Sequence, residues 1–190
     1  MTDDSWALRL SAMKAVVDGD RGVDEPGIHR RMGRTLIWVQ DVERSLRFIL
    51  TFVFQKGGGL TLESLEAQTE AERKKTIGYF LDQMRRRVAI HPKVDDYLST
   101  FLTLRNQFAH DVTSVSGWDL ETEAGLKAAN DFLTDLGGHA LWIYFWLAGI
   151  VRSWSQQVGM ETSFEDDETM HFLDRTFRQL ADATLDELPE

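Results

Sequence analysis

Apolar residues recur at helical spacing along almost the whole chain. Trp6, Leu10, Met13 and Val17 fall at i, i+4, i+7 and i+11, which predicts a short first helix. Residues 18–27, "DGDRGVDEPG", form a loop. A long helix is predicted from Ile28 to Gln55, with Met32, Leu36, Val39, Leu46, Leu50 and Val53 sharing a stripe. "KGGG" ends it, because glycine costs helix stability and favours left-handed caps. "TLESLEAQTEAERKKTIGYFLDQMRRR" opens with a short helical turn and continues as a second helix. Pro92 starts the next helix, which carries Leu98, Phe101, Leu104 and Phe108 and gives way to the polar loop "DVTSVSGWD". The longest pattern joins Leu126, Ala129, Leu133, Leu136, Ala140, Ile143, Leu147, Ile150 and Trp154, and the pair Gly137–Gly138 inside it predicts a kink. A last helix opens at Ser163 and carries Met170, Leu173, Phe177 and Leu180. Prolines stand only at 26, 92 and 189, and no strand pattern competes. The fold class is therefore all-α: an antiparallel bundle of about six helices with short connections.

Composition narrows the function more than the fold. A chain of 190 residues is most simply one domain, here residues 1–190, and its 43% hydrophobic and 27% charged content is that of an ordinary globular protein. Without cysteine, neither a disulfide framework nor a thiolate metal site can form. "MTDDSWALRL" is acidic where a signal peptide is basic, and the longest apolar run, Ala140 to Val151, is too short to span a bilayer. A cytoplasmic protein without a membrane partner is expected. The net charge of −10 counts against general nucleic-acid affinity. Arginines and lysines nevertheless cluster at Arg30, Arg31 and Arg34, at Arg73, Lys74 and Lys75, and at Arg85, Arg86 and Arg87. A basic face and ordinary solvated helix faces both fit that pattern.

Most catalytic motifs are excluded. "GGG" at 57–59 is followed by no Gly-Lys-Ser/Thr and is no phosphate loop. "ETMH", Glu168 to His171, has the Glu-x-x-His spacing of di-iron bundles, which need a second copy that the chain lacks. His29, His91 and His139 show no ligand spacing, so neither a metal nor a cofactor is expected. The aromatic run Trp142, Tyr144, Phe145 and Trp146 reads as core or as a dimer surface.

One stretch stands apart: "RNQFAH", Arg105 to His110, closing a predicted helix beside a loop that a substrate could reach. With fifteen arginines and five histidines among 190 residues, Arg-x4-His arises by chance roughly 0.4 times, and Arg86 with His91 is such a match. Requiring Asn after the Arg is far more selective, because the chain has two asparagines, and only Arg105–Asn106–His110 passes.

This stretch resembles the HEPN superfamily, marked by an Arg, usually followed by a polar residue such as Asn, with a His four to six residues beyond. The order of helices between Ile28 and Trp154 is also similar, which makes 28–157 the motif-bearing core and 163–185 an added C-terminal helix. The resemblance implies a metal-independent endoribonuclease, often a toxin or phage-defence effector. Its implied partners are RNA, a second copy in a homodimer, and an antitoxin or other regulatory protein. Some HEPN toxins carry a tyrosine two residues after the motif histidine that a nucleotidyltransferase antitoxin modifies; Val112 stands there, which argues against that route.

The chemistry fits these residue types. Cleavage without metal needs proton transfer at the 2′-hydroxyl and the leaving 5′-oxygen, which an imidazole near neutrality can perform. It also needs a fixed cation on the phosphate, for which a guanidinium is suited. His110 is therefore assigned the proton transfer and Arg105 the phosphate, with Asn106 bonding the ribose-phosphate or orienting the imidazole. The products would carry 2′,3′-cyclic phosphate and 5′-hydroxyl ends. At ~100° per residue Asn106 lies about 40° from His110 and Arg105 about 140° from it, so Asp96, Ser99, Thr103, Asn106 and His110 form one polar stripe with Arg105 at its apolar edge. Two motif helices facing each other across a two-fold axis would ease that divergence. Two other roles stay open: Arg105 paired with an acid such as Asp111 or Glu121, and His110 capping a helix C-terminus, in a non-catalytic binding or assembly module or an unrelated helical adaptor.

Overall fold

A computed structural model describes residues 3–18, 23–54, 61–72, 74–160 and 177. All the described regular structure is helical: α1 (Asp3–Asp18), α2 (Glu25–Phe48), α3 (Leu62–Glu72), α4 (Ile77–Arg85), α5 (Pro92–His110) and α6 (Glu123–Gln157). The all-α class expected from periodicity is present, with six α-helices among the described residues.

α6 is the axis of the bundle, with α1, α2 and α5 packed on it. Its face explains why. Leu133, Leu136, Ala140, Ile143, Trp146, Leu147 and Ile150 are fully buried, and such a helix is stable only when other elements cover it. Gly137 and Gly138 do not end it; α6 runs from Glu123 to Gln157. The glycines act in packing instead. A Cβ at Gly137 would lie 3.0 Å from Trp38 and 3.1 Å from Val17, and one at Gly138 would lie 2.6 Å from the Lys14 side chain. The absent methyl groups let α1 and α2 approach α6, and the Lys14–Asp135 ion pair closes the α1 contact.

α2 begins earlier than the apolar stripe suggested. Asp24 caps it, its Oδ1 accepting from the Gly27 N–H at 2.8 Å, and Pro26 sits in the first turn where its missing N–H costs nothing. Of the expected stripe, Val39, Leu46, Leu50 and Val53 are buried and Met32 is partly so. Ile28, Thr35, Val39, Val42 and Leu46 are buried, whereas Leu36, expected inside, is exposed together with Ile37. At Ile49 the helix widens into a π-helical turn, Ile49–Val53, in which the Phe54 N–H reaches back five residues to the Ile49 carbonyl at 2.8 Å. Arg87 supports this end, its Nη1 donating to the carbonyls of Leu50 at 2.7 Å and Phe54 at 2.9 Å.

The 61–87 stretch forms two helices, α3 and α4, rather than a turn leading into one. α4 and α5 make an antiparallel hairpin: Arg85 near the end of α4 meets Asp95 and Ser99, while Gly78 near its start faces Leu102. The predicted C-terminal helix, 163–185, lies outside the described residues except for Phe177. That residue is helical and buried, with its ring 5.3 Å from that of Trp142. Among the described residues no helix is long and apolar enough to cross a membrane.

Candidate functional site

The motif stands on the last turns of α5. The helix starts at Pro92, with the Nδ1 atom of His91 accepting from the Lys93 N–H at 3.2 Å. Val94, Leu98 and Phe101 are buried on its inner side, and Tyr97 sets its ring edge-on to Trp142 at 4.8 Å. The guanidinium of Arg85 clamps the outer side, 2.6 Å from Asp95 and 2.9 Å from the Ser99 hydroxyl. α5 is thus held from both sides, and its register is fixed before the motif is reached.

The polar stripe read from the sequence is present. Asp96, Ser99, Thr103, Asn106 and His110 are all exposed, while Arg105 is half-buried at the edge. The helix ends at His110. The Asp111 N–H still donates to the Gln107 carbonyl at 2.9 Å, but the backbone of Asp111 has left the helical region. A single 3-10 turn, Val112–Ser114, follows, tied by the Ser114 hydroxyl donating to the Asp111 carbonyl at 2.8 Å. His110 therefore presents its ring at a fixed helix end, open to solvent, and no hydrogen bond or ion pair engages that ring among the described residues.

Arg105 does not pair with Asp111 or Glu121. Its Nη2 donates to the Oε1 of Glu43 on α2 at 2.7 Å, an ion pair in which the two side chains keep only 20% and 23% of their exposure. Its Nη1 donates to the Oδ1 of Asn106 at 3.3 Å, so Asn106 touches the arginine, not the imidazole. The Nε atom is buried without a hydrogen-bond partner. The guanidinium is thus fixed by Glu43 through Nη2 and bonds Asn106 through Nη1. Arg105 and Asn106 are brought together. No hydrogen bond or ion pair joins either of them to His110 within this one chain among the described residues.

Sequence reasoning missed Glu43. The signal available was its place on the shoulder of the α2 stripe, next to buried Val42, where an acid is half-buried and needs a cation. Arg47, one turn further on the same flank, lies over the Phe80 ring at 4.5 Å, so this side of α2 faces α4 and α5.

Four of the clustered bases are engaged in the fold. Arg31 is buried and caps the end of α1, donating to the carbonyls of Val17 and Asp18 and pairing with the Asp18 carboxylate. Arg34 lies over Trp38, Arg85 pairs with Asp95, and Arg87 holds the π-helical turn. The described residues hold no group of three acidic or imidazole side chains able to bind a metal, and Glu168 and His171 lie outside them. His139 is buried, with its Nδ1 2.8 Å from the Asp135 carbonyl and its ring edge-on to Tyr97. Burial holds its pKa below the usual histidine value.

Comparison with protein-family models, curated proteins and solved structures found no match for this chain.

Proposed function

We propose that the protein is a metal-independent endoribonuclease of the HEPN type, cutting RNA to 2′,3′-cyclic phosphate and 5′-hydroxyl ends. The observation that carries this reading is the motif's presentation. Asn106 and His110 are exposed on one stripe of a firmly held helix, and the Arg105 guanidinium at its edge is oriented by Glu43. In this reading the 2′-oxygen attacks phosphorus and the bond to the 5′-oxygen breaks. His110 moves a proton, taking it from the 2′-hydroxyl or giving one to the leaving oxygen. Arg105 bonds the phosphate oxygens as charge builds on them, and Asn106 steadies the guanidinium and reaches the ribose-phosphate. The ion pair with Glu43 keeps the guanidinium in one orientation, which spares the ordering cost when the phosphate arrives.

The test is incubation of purified protein with RNA in EDTA, beside His110→Ala and Arg105→Ala variants whose folding is verified by circular dichroism. The reading expects cleavage by the wild type and loss in both variants. Cleavage that persists in both removes the motif from the chemistry.

A second reading is favoured by the same ion pair. A half-buried Arg105 neutralised by Glu43 is also what a non-catalytic HEPN-like binding or assembly module would build to tie α5 to α2. That reading expects Arg105→Ala to lower stability and His110→Ala to change nothing, with no cleavage by any of the three proteins.

A further inference from the structure

Lys74 and Lys75 belong to a basic cluster that the ion pairs of the fold leave unused. Both are exposed just before α4, and neither ammonium enters a hydrogen bond or ion pair among the described residues. Two sets of contacts bring them beside the motif. Along the α4–α5 hairpin, Arg85 meets Asp95 and Gly78 faces Leu102. The same register, continued for three residues, sets position 75 against Arg105. Across α2, Glu43 holds Arg105 at 2.7 Å. One turn or ~6 Å further along that helix, the Nη2 of Arg47 donates to the Lys75 carbonyl at 3.4 Å.

Adjacent aromatic rings seat these cations. The Lys75 Nζ lies 5.1 Å from the centre of the Tyr79 ring, and the Arg47 guanidinium 4.5 Å from that of Phe80. A cation resting on a ring face has less freedom to lose when an anion arrives. Charge points the same way. Arg47, Lys74, Lys75 and Arg105 share this flank with the carboxylate of Glu43, which Arg105 already holds. In a chain of net charge −10 this is a local excess of positive charge, the footprint that binding a phosphate backbone requires.

We infer that Arg47, Lys74 and Lys75 bind the RNA phosphates next to the one that Arg105 contacts. The inference rests on the ribonuclease reading and deepens it. The substrate is an RNA chain that runs past the scissile step toward the start of α4, not a dinucleotide. The two lysines touch no reacting atom. They hold the strand, so their loss weakens binding and leaves the chemical step alone.

The experiment measures fluorescence anisotropy of a labelled 2′-O-methyl RNA oligonucleotide, which binds without being cut, over a range of salt concentrations. Four full-length proteins are compared: wild type, Lys74→Gln with Lys75→Gln, Lys74→Arg with Lys75→Arg, and Arg86→Gln. Arg86 is exposed at the far end of α4 and serves as the control for net charge. The glutamine pair is expected to bind about tenfold or more weakly. Its salt slope should fall by about 1.4, at roughly 0.7 per lost phosphate contact on a single strand. The arginine pair and Arg86→Gln should match wild type. An unchanged affinity and slope in the glutamine pair overturn the inference. So does a wild type that does not bind, or an equal loss in Arg86→Gln. Cleavage of the unmodified strand is followed in parallel, where the glutamine pair should raise KM and keep kcat. Wild type that binds as expected but never cuts defeats the ribonuclease reading and leaves the phosphate contacts standing.

Discussion

The Nη2 atom of Arg105 on α5 lies 2.7 Å from the Oε1 of Glu43 on α2, an ion pair between residues 62 positions apart in sequence. Both partners are about four-fifths buried, so removing either leaves the other partly desolvated without its counter-charge. Arg105→Ala and Glu43→Ala are each expected to cost about 1–3 kcal/mol in urea unfolding, with the double variant less destabilised than the sum by about 0.5–2 kcal/mol. Strict additivity would show that the pair is not formed in solution.

His110 differs from Arg105 in being exposed and unengaged among the described residues. His110→Ala is therefore expected to leave the unfolding midpoint within about 0.5 kcal/mol of wild type while lowering RNA cleavage by roughly 10²–10⁴-fold. A large stability loss would give the imidazole a structural role that the geometry does not assign to it.

Gly125 stands where no other residue fits. A Cβ there would lie 1.9 Å from the Asp119 carbonyl oxygen, and that backbone is held by Asp119 accepting from the Glu121 N–H and the Thr122 hydroxyl. Gly125→Ala is expected to destabilise by about 2 kcal/mol or more despite its better helix propensity, read as a fall in thermal midpoint. A neutral or stabilising result would mean that the turn before α6 is free to move.

Acid sensitivity should trace in part to His139. Its pKa is lowered chiefly by burial and further by Lys14, against the raising effects of the Asp135 carbonyl contact and the Asp135 carboxylate. The unfolded chain therefore takes up a proton first, near the ordinary value of 6.5, and the native state later. The contribution of His139 is intact above 6.5 and declines as pH falls through 6.5 toward the lower native value. Denaturant midpoints measured from pH 7.5 downward should fall less steeply in His139→Gln than in wild type. Parallel profiles would remove His139 from the acid response.

How much of this was legible in the sequence depended on whether the cause was local. α5 was legible in full: Pro92 opens it, and the exposed stripe Asp96, Ser99, Thr103, Asn106 and His110 emerged as the spacing required. α6 was legible in extent, but the packing role of its glycines was not. Gly137 and Gly138 read as a weak point because a lone helix pays for glycine, whereas here Val17, Trp38 and Lys14 occupy the space their missing Cβ atoms leave. The π-helical turn left no trace in the apolar pattern, since it depends on Arg87 arriving from 33 and 37 residues away. The partner of Arg105 was hidden for the same reason. Acids near in sequence, Asp111 and Glu121, were the visible candidates, and the tertiary fold supplied Glu43 instead.

The most direct test of the ribonuclease reading is the end chemistry of RNA cut in EDTA by wild type and His110→Ala. The account predicts 2′,3′-cyclic phosphate ends that accumulate with wild type and vanish with His110→Ala, and no cleavage of a DNA strand of the same sequence. Cyclic-phosphate ends made equally by both proteins, or none made by wild type, would contradict it.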